Sequence, residues 1–319
     1  MKSAMTHFLV AAAALSALSV NLPAQGIQYD KIEIKTEKIA PNLYMLSGSE
    51  NVDPGHPDGA GGRIGVLAGP DGIFMVDAQY LQIGEKVLAA VRSIDAGPIR
   101  FLVNTHLHGD HTAGNATFAK LGAVILAREE LREGMARTPA KAPARDPARL
   151  PVLTYGMGDP VRLRMNGETV ELIPVRAAHT GGDTMIRFVN ADAIMVGDFY
   201  RNFGYPFIDV TNGGSLKGAL EALELTMKIA GPNTKLIPGH GTFINRKDII
   251  PYRDIILAVQ AKVQQLINQG KTEDEVLAAK VTAPYDAQVP GGLLPANTGG
   301  GTSADRFVRM VYSQLKSAK

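Results

Sequence analysis

Three of the seven histidines in the chain, together with one aspartate, fall within the six residues HLHGDH that begin at His106. Because alternate side chains of an extended chain point to the same side, His106 and His108 are able to converge on one ion. Asp110 and His111 follow Gly109, and a turn at this glycine would let them face a different point. Imidazole and carboxylate groups are ligands of zinc. The spacing therefore predicts that one short segment contributes ligands to two metal ions.

Four ligands do not complete two metal sites, because a catalytic zinc usually has three protein ligands and one open position. Three further candidates each follow a predicted strand at a turn marked by glycine: His179 in AAHTGGD, Asp198 in AIMVGD and His240 in PGHG. A single buried histidine is more often a hydrogen-bonded core residue than a ligand. The crowding of ligand residues in HLHGDH favours the metal interpretation for the whole set.

The chain contains no cysteine, so neither thiolate metal ligands nor a cysteine nucleophile is available. No GxSxG motif indicates a serine nucleophile. The chemistry that remains for these residues is attack by a metal-activated water.

Short apolar runs separated by glycine predict strands in the first part of the chain, followed by a helix over 83–94. A second set of strands is predicted at ETVELIPV, TMIRFV, AIMVGD and TKLIPG. Residues 133–160 lack periodicity and are predicted to form a loop or lid, whereas the chain after 248 is mostly helical. Two rounds of strands and helices indicate an α/β fold made of two halves closed face to face.

The series HLHGDH, His179, Asp198 and His240 resembles the metallo-β-lactamase superfamily, over residues 44–243. The resemblance implies an αββα four-layer sandwich with the metal site at the edge between its halves. It also implies two zinc ions (Zn2+) per chain. The first would be held by His106, His108 and His179, the second by Asp110, His111 and His240, and Asp198 would bridge both.

A mechanism of hydrolysis follows from this resemblance. Two zinc ions about 4 Å apart share a water and lower its pKa, which makes it a nucleophile near neutral pH. Asp110 would orient this water and carry its proton to the leaving group. The substrate is a small molecule with a carbonyl or phosphoryl centre.

The ligand set departs from that of true β-lactamases. One major group of them has cysteine in place of Asp198 and lacks histidine at the position of His111. Another group has the histidine and no bridging carboxylate. The complete set is closer to glyoxalase II-like thioesterases, lactonases and phosphodiesterases, so the ligands alone do not identify β-lactams as substrates.

Three residues are candidates for substrate contact. Arg201 lies three residues beyond Asp198, where cysteine-type β-lactamases place a lysine that grips the substrate carboxylate. The competing interpretation is a solvated surface arginine. Tyr200 belongs to the aromatic stretch GDFYRNFGYPF, which is either a substrate wall or ordinary packing. Asn212 could donate to a substrate carbonyl, although Asn-Gly-Gly is foremost a turn signal.

Two residues near the predicted site receive other interpretations. Asp77 ends the strand GIFMVD and resembles an acid that orients the histidine loop, with a strand-ending turn as the alternative. His56 lies in the loop ENVDPGHPDGAGG, which corresponds in position to a mobile flap over the site. It is interpreted as a solvated loop residue.

Residues 1–24 have the pattern of a secretory signal peptide: Lys2, an apolar run over 8–20, and Ala24 before the expected cleavage point. Its removal leaves 32 basic and 31 acidic groups, a balance that gives no electrostatic reason to expect a nucleic-acid partner or an anionic membrane. No membrane anchor is expected once the signal is removed. The mature chain, 25–319, is predicted to be one domain with a helical extension over about 250–319. Its predicted location is the periplasm or the exterior.

These observations favour an exported, zinc-dependent hydrolase whose substrate is a carboxylate-bearing cyclic amide of the β-lactam type. An ester, lactone, thioester or phosphodiester substrate is the alternative within hydrolysis. A di-iron oxygen-reducing or metal-binding protein is the alternative outside it.

Overall fold

The computed structural model describes residues 26–137, 146–296 and 300–317. The predicted signal peptide lies outside these ranges. Among the described helices, none combines the length and the apolar content that crossing a membrane requires.

The first sheet has seven strands in chain order. They are β1 (Ile34–Ala40), β2 (Leu43–Gly48), β3 (Ile64–Leu67), β4 (Ile73–Val76), β5 (Ile99–Val103), β6 (Val124–Arg128) and β7 (Leu153–Tyr155). The first four strands pair antiparallel, whereas β4 to β7 run parallel. The carboxyl ends of these parallel strands lie at one edge of the sheet, and HLHGDH follows β5 at that edge.

The second sheet has five strands in the order β12-β11-β10-β9-β8. They are β8 (Val161–Met165), β9 (Glu168–Pro174), β10 (Thr184–Phe188), β11 (Ala193–Gly197) and β12 (Lys235–Pro238). Asn166 and Gly167 connect β8 to β9, both with positive φ, as a two-residue hairpin turn requires. Only β11 and β12 pair parallel, and helix α5 (Leu216–Ile229) connects them.

Three apolar clusters define four layers. One cluster lies between the facing sheets and includes Phe74 and Phe188, whose rings meet edge to face at 6.3 Å. A second packs α1 (Gly84–Ile94) on the outer face of the first sheet through Val87 and Val91. The third covers the second sheet with helices from the C-terminal half. This arrangement confirms the predicted αββα four-layer sandwich.

The remaining helices are short or C-terminal. The short ones are α2 (Gly109–Thr112), α3 (Asn115–Ala119) and α4 (Glu129–Ala136). The C-terminal ones are α6 (Arg246–Asn268), α7 (Glu273–Ala278) and α8 (Ser303–Ser317). A capping box between Asn245 and Asp248 begins α6, which packs against both α5 and α8. The C-terminal helices therefore share the core of the second sheet.

The prediction of one loop over 133–160 is wrong at both ends. Residues 133–136 complete α4, and Leu153–Tyr155 form β7 at the edge of the first sheet. Leu131 and Met135 form an apolar face of α4 that packs against β6. Two apolar residues four positions apart are too short a pattern to be recognised as periodic in the sequence. Residues 138–145, in the middle of the predicted lid, lie outside the described ranges.

Replacing Phe307 by alanine should destabilise the whole domain. The ring is fully buried in α8 and stacks on Tyr205 at 5.7 Å, so its removal leaves a cavity in the shared core. We expect a loss of about 3–5 kcal/mol in the free energy of unfolding, measured by urea denaturation. Leu257→Ala is the control, because this α6 side chain is 43% exposed. Equal small losses in both variants would contradict the packing of α8 on this core.

Candidate metal centre

The seven predicted ligand residues meet at one edge of the two sheets. The HLHGDH segment follows β5, His179 lies between β9 and β10, Asp198 follows β11, and His240 follows β12. Within this cluster, ligand atoms lie within 4.8 Å of one another in three groups. The groups are His106, His108 and His179; His106, His111 and Asp198; and His56, Asp110 and His240.

The outer ring nitrogens of the first group are held by hydrogen bonds. His108 Nε2 donates to Asp209 Oδ2 at 2.9 Å, and His179 Nδ1 donates to the carbonyl of Phe207 at 2.6 Å. Since a neutral imidazole has one donor nitrogen, the other nitrogen of each ring is an acceptor. These two acceptors, His108 Nδ1 and His179 Nε2, face each other at 2.9 Å. Two facing lone pairs repel each other, and a cation between them removes the repulsion.

His106 provides the third inward nitrogen. Its Nδ1 donates to Thr105 Oγ1 at 3.0 Å, and this hydroxyl in turn donates to Asp77 Oδ2 at 2.6 Å. The inward Nε2 is buried and has no hydrogen-bond partner among the described residues. An unsatisfied buried acceptor costs about 1–3 kcal/mol. The donor set and this unpaired nitrogen therefore fit a bound metal ion.

The predicted ligands of the second zinc, Asp110, His111 and His240, form a second ligand group that is arranged around the carboxylates of Asp110 and Asp198. His240 Nε2 lies 3.0 Å from Asp110 Oδ2 and 3.3 Å from Asp198 Oδ2. His111 Nε2 lies 3.4 Å from Asp198 Oδ1. Asp198 Oδ2 is also 3.8 Å from both His106 Nε2 and His179 Nε2. The carboxylate of Asp198 thus lies between the two groups.

Both carboxylates are ionised. Burial alone would raise their pKa, but the charges of neighbouring histidines hold the pKa of Asp110 and of Asp198 well below the usual range. For Asp198 the main contributors are His240 and His111, and for Asp110 they are His111 and His240. Burial lowers the pKa of His106 and of His179, so the centre offers two anions and the neutral rings of these two histidines, which together suit a divalent cation.

Asp77 connects β4 to the centre. Its carboxylate accepts from the backbone nitrogen of Thr105 at 2.8 Å and from His111 Nδ1 at 2.8 Å, in addition to the Thr105 hydroxyl. One buried carboxylate thereby orients a ring in each metal group. Its backbone has φ 62°, a left-handed conformation that Asp and Asn tolerate better than most residues.

At two positions near the metal centre, the close approach of a neighbouring side chain requires glycine, whereas at Gly109 it does not. A Cβ at Gly62 would lie 2.2 Å from the ring of His111, and one at Gly239 would lie 1.9 Å from Asp198 Oδ1. Gly109, in contrast, has open space within 4 Å of the Cβ position. The chain does turn at Gly109, where the extended His108 is followed by α2, but neither a positive φ nor a close contact requires glycine there.

His56 is not a solvated loop residue. Its side chain is 19% exposed, and its ring stacks on His240 at 3.8 Å. The Nδ1 atom donates to Asp53 Oδ2 at 3.1 Å, and Nε2 lies 3.7 Å from Asp110 Oδ2. Because the rings of His56 and His240 are within 7° of parallel, their in-plane lone pairs point side by side and not at one point. The loop that carries His56 therefore folds over the metal centre and places the His56 imidazole next to it.

A cleft of about 400 Å³ opens over the centre. Arg201 lines this cleft, and its Nε donates to the carbonyl of Phe203 at 2.7 Å. Metal-centre residues line the cleft together with aromatic and basic residues. The lining includes His108, Asp110, Asp198, Arg201, Phe207 and Arg306.

The other two predicted substrate contacts lie elsewhere. Tyr200 is 4% exposed and packs on Tyr252 at 4.5 Å, in an adjacent cavity lined by neither His108 nor Asp198. Burial raises the pKa of Tyr200 to about 12. The amide nitrogen of Asn212 donates to Asp209 Oδ2 at 2.6 Å, and its side chain lines a different groove from Arg201. The structure thus gives Tyr200 a packing role and makes Asn212 a support for Asp209.

Sequence reasoning missed Asp209, and it missed the role of the Phe207 carbonyl although Phe207 ends the stretch GDFYRNFGYPF. Asp209 is 101 residues from His108, with no spacing that connects the two. The sequence signal for Asp209 is its position directly before the turn Val210–Asn212, where its carboxylate accepts a hydrogen bond from the Asn212 backbone nitrogen. Phe207 acts through its backbone carbonyl, which leaves no signal in the residue type.

Comparisons with known proteins agree with this geometry. The family model described as "Metallo-beta-lactamase superfamily" matches residues 57–240, which is more than half of the chain. A metallo-beta-lactamase from Pontibacter korlensis has a similar structure, with a TM-score of 0.59 at 15% sequence identity, over 70% of this chain and 99% of its own. The DIM-1 metallo-beta-lactamase gives 0.55 at 16% identity, over 70% and 98%. At these identities the likeness shows the fold alone, and no curated protein matches the sequence.

Replacing Asp77 by asparagine should weaken metal binding. Asparagine keeps the left-handed backbone, but its amide nitrogen replaces one acceptor oxygen by a donor. At the Oδ2 position this donor opposes both His111 Nδ1 and Thr105 Oγ1, and at the Oδ1 position it opposes the Thr105 backbone nitrogen. We expect the zinc affinity to fall about 10- to 100-fold, measured by competition with a chromogenic chelator. Asp192→Asn is the matched control, because Asp192 also has a positive φ, 49°, and contacts Thr234 away from the centre. Unchanged affinity in Asp77→Asn would show that this carboxylate does not orient the ligands.

Proposed function

Since the chain belongs to the metallo-beta-lactamase superfamily, we propose that it is an exported di-zinc hydrolase of a small carbonyl substrate. The observation that supports this most directly is the pair of facing acceptor nitrogens on His108 and His179, next to an ionised Asp198 between two ligand groups. His106, His108 and His179 would hold one zinc, and Asp110, His111 and His240 the other. Asp198 would contact both.

When bound, two such ions would supply Lewis acidity and lower the pKa of a water molecule to near neutrality. Asp110 lines the cleft and is ionised, so its carboxylate is placed to accept a hydrogen bond from the attacking water. We assign to Asp110 the transfer of the water proton to the leaving group. Arg201, which lines the same cleft, would bind an anionic part of the substrate.

For the substrate, we propose a β-lactam amide, hydrolysed with broad specificity. The predicted export, the presence of Arg201 in the cleft and the fold shared with structures described as metallo-beta-lactamases support this proposal. Asp198 in place of the β-lactamase cysteine favours instead an ester, lactone, thioester or phosphodiester. The observation that favours this second class of substrate is the position of the Asp198 carboxylate between the two ligand groups.

A di-iron oxygen-reducing protein is the alternative outside hydrolysis. Such proteins of the superfamily carry a flavodoxin-like domain, which is built on a parallel sheet. In this chain, the described residues after 250 form helices and turns packed on the second sheet. We therefore favour the hydrolase, with a small-molecule substrate, no nucleic-acid partner, no membrane anchor after signal removal and a periplasmic or secreted location.

Loss of either His106 or Asp198 should abolish both metal binding and hydrolysis. We expect about two zinc ions per wild-type chain, and a lower zinc content in His106→Ala and Asp198→Ala, measured by elemental analysis. Hydrolytic activity should fall at least about 100-fold in both variants. Asp274→Ala, at an exposed position in the first turn of α7, should retain both properties. Wild-type protein without metal, or fully active variants, would refute the proposal.

Four probes assayed side by side should identify the substrate class. A β-lactam, a lactone, a thioester and a phosphodiester differ in the centre attacked and in the leaving group. We expect the highest kcat/KM for the β-lactam, measured by absorbance with the zinc-loaded protein. Turnover of the phosphodiester alone would reject the proposed substrate.

The proposed export predicts a mature protein that starts at Gln25. N-terminal sequencing of protein from the periplasm of a bacterial host should find this residue first, because cleavage would follow Ala24. Protein in that compartment that retains Met1 would contradict the signal-peptide proposal.

A further inference from the structure

Arg306 brings an unpaired guanidinium to the cleft. It lies in the first part of α8, outside the residues that match the family model. Its guanidinium carbon is 4.4 Å from the centre of the Phe207 ring. The Nε atom is buried and has no hydrogen-bond partner, and no ion pair involves this side chain, among the residues that the structure describes. The residue as a whole is partly buried, and a partly buried charge without an ion-pair partner is costly, so this position favours an anion.

Acidic groups near Arg306 are engaged elsewhere. Asp305, the preceding residue, accepts from the backbone nitrogen and hydroxyl of Thr302, both at 2.9 Å, and pairs with Lys280 at 3.6 Å. Asp209, on the same cleft, accepts from His108 Nε2 and from Asn212. Neither carboxylate is available to neutralise Arg306.

Arg201 adds a second positive charge to the same cleft. Its Nε is engaged with the carbonyl of Phe203, which leaves the terminal nitrogens for another partner. Burial, and next the charge of Arg201, lower the pKa of Arg306 to about 10, so Arg306 remains charged at neutral pH. Two like charges that share a partly buried cleft repel each other. A ligand anion between them would relieve both the repulsion and the lack of partners.

Phe207 places this pair beside the metal centre. Its ring stacks on His108 at 5.8 Å and meets the ring of His179 at 5.5 Å, while Arg306 covers the same ring. An anion bound by the two arginines would therefore lie in the cleft that His108, Asp110 and Asp198 also line. The cleft volume of about 400 Å³ suits a small molecule.

We propose that Arg201 and Arg306 form an anion-binding pair that holds a carboxylate of the substrate while its carbonyl lies at the metal centre. The C-terminal helix α8 thus contributes a specificity-determining residue. The inference rests on the proposed hydrolase function and narrows its substrates to small molecules with a carboxylate near the scissile bond. Guanidinium groups suit this task because they bind carboxylates through paired hydrogen bonds.

Turnover of paired probes by the zinc-loaded protein tests the inference. The probes are a chromogenic cephalosporin with its free carboxylate and the methyl ester of the same compound. In Arg306→Gln we expect KM for the free carboxylate to rise about 10- to 100-fold, with kcat changed less than about twofold. KM for the methyl ester should stay at the wild-type value, because this probe has no charge to lose. Arg306→Lys should recover part of the difference, since lysine keeps the charge without the planar fork.

Lys316→Gln is the matched control, because it removes one positive charge from the last turn of the same helix at an exposed position. Thermal unfolding of Arg306→Gln should match that of this control, which excludes misfolding as the cause. If Arg306→Gln and Lys316→Gln give equal KM values for both probes, the inference is overturned.

Equilibrium binding of succinate separates this inference from the proposed hydrolase function. Calorimetry with the zinc-loaded protein should show weaker succinate binding in Arg306→Gln than in wild type and in Lys316→Gln. If that difference is found while wild type hydrolyses none of the probes, the anion pair stands and the hydrolase proposal fails. If wild type hydrolyses the probes and succinate binding is equal in all three proteins, the hydrolase proposal stands and the anion pair fails.

Discussion

The crowding of imidazole acceptors and carboxylates in one buried volume is the constraint on which the centre depends. Inward lone pairs on His106, His108 and His179 repel one another unless a cation lies between them. They keep these positions because each outward nitrogen donates a hydrogen bond, to Thr105, Asp209 and Phe207 respectively. Without these bonds, each ring could rotate and present its donor nitrogen to the centre, and the ligand set would be lost.

Asp77 shows how the fold supports this arrangement. Its carboxylate leaves the end of β4 and binds Thr105 and His111, which follow the neighbouring parallel strand β5. Parallel pairing brings the carboxyl ends of both strands to the same edge, so the contact requires no long connection. The second sheet delivers His179, Asp198 and His240 to the same edge from the facing side. The metal centre thus depends on the packing of two sheets, and the core between them fixes its dimensions.

The C-terminal helices, which lie outside the residues that match the family model, also contribute to the core and to the cleft. The core that α8 shares with the second sheet, through Phe307 and Tyr205, also places Arg306 over Phe207. A stability contact and the proposed specificity contact are therefore neighbours on one helix. This connection gives a physical reason for a helical extension that the metal chemistry itself does not require.

The sequence by itself determined the ligand types and the architecture. HLHGDH concentrates metal-ligating groups at local spacing, and the apolar runs that precede each ligand predict strands whose ends carry them. Both signals lie within a few residues of one another, so they can be read without the fold. The family resemblance added the order of the remaining ligands and the four-layer sandwich.

Only the tertiary structure decided which nitrogen of each histidine faces inward and which side chains border the cleft. His56 was interpreted as solvated, yet it stacks on His240, a contact made across a separation of 184 residues. Tyr200 and Asn212 turned away from the cleft because a buried ring partner and an acid partner, respectively, bind them more closely. Arg306 lines the cleft from α8, a helix in which no sequence motif indicated a functional residue. In each case the deciding contact joins segments distant in sequence, and such contacts follow from how the sheets and helices pack, which no local pattern of residues specifies.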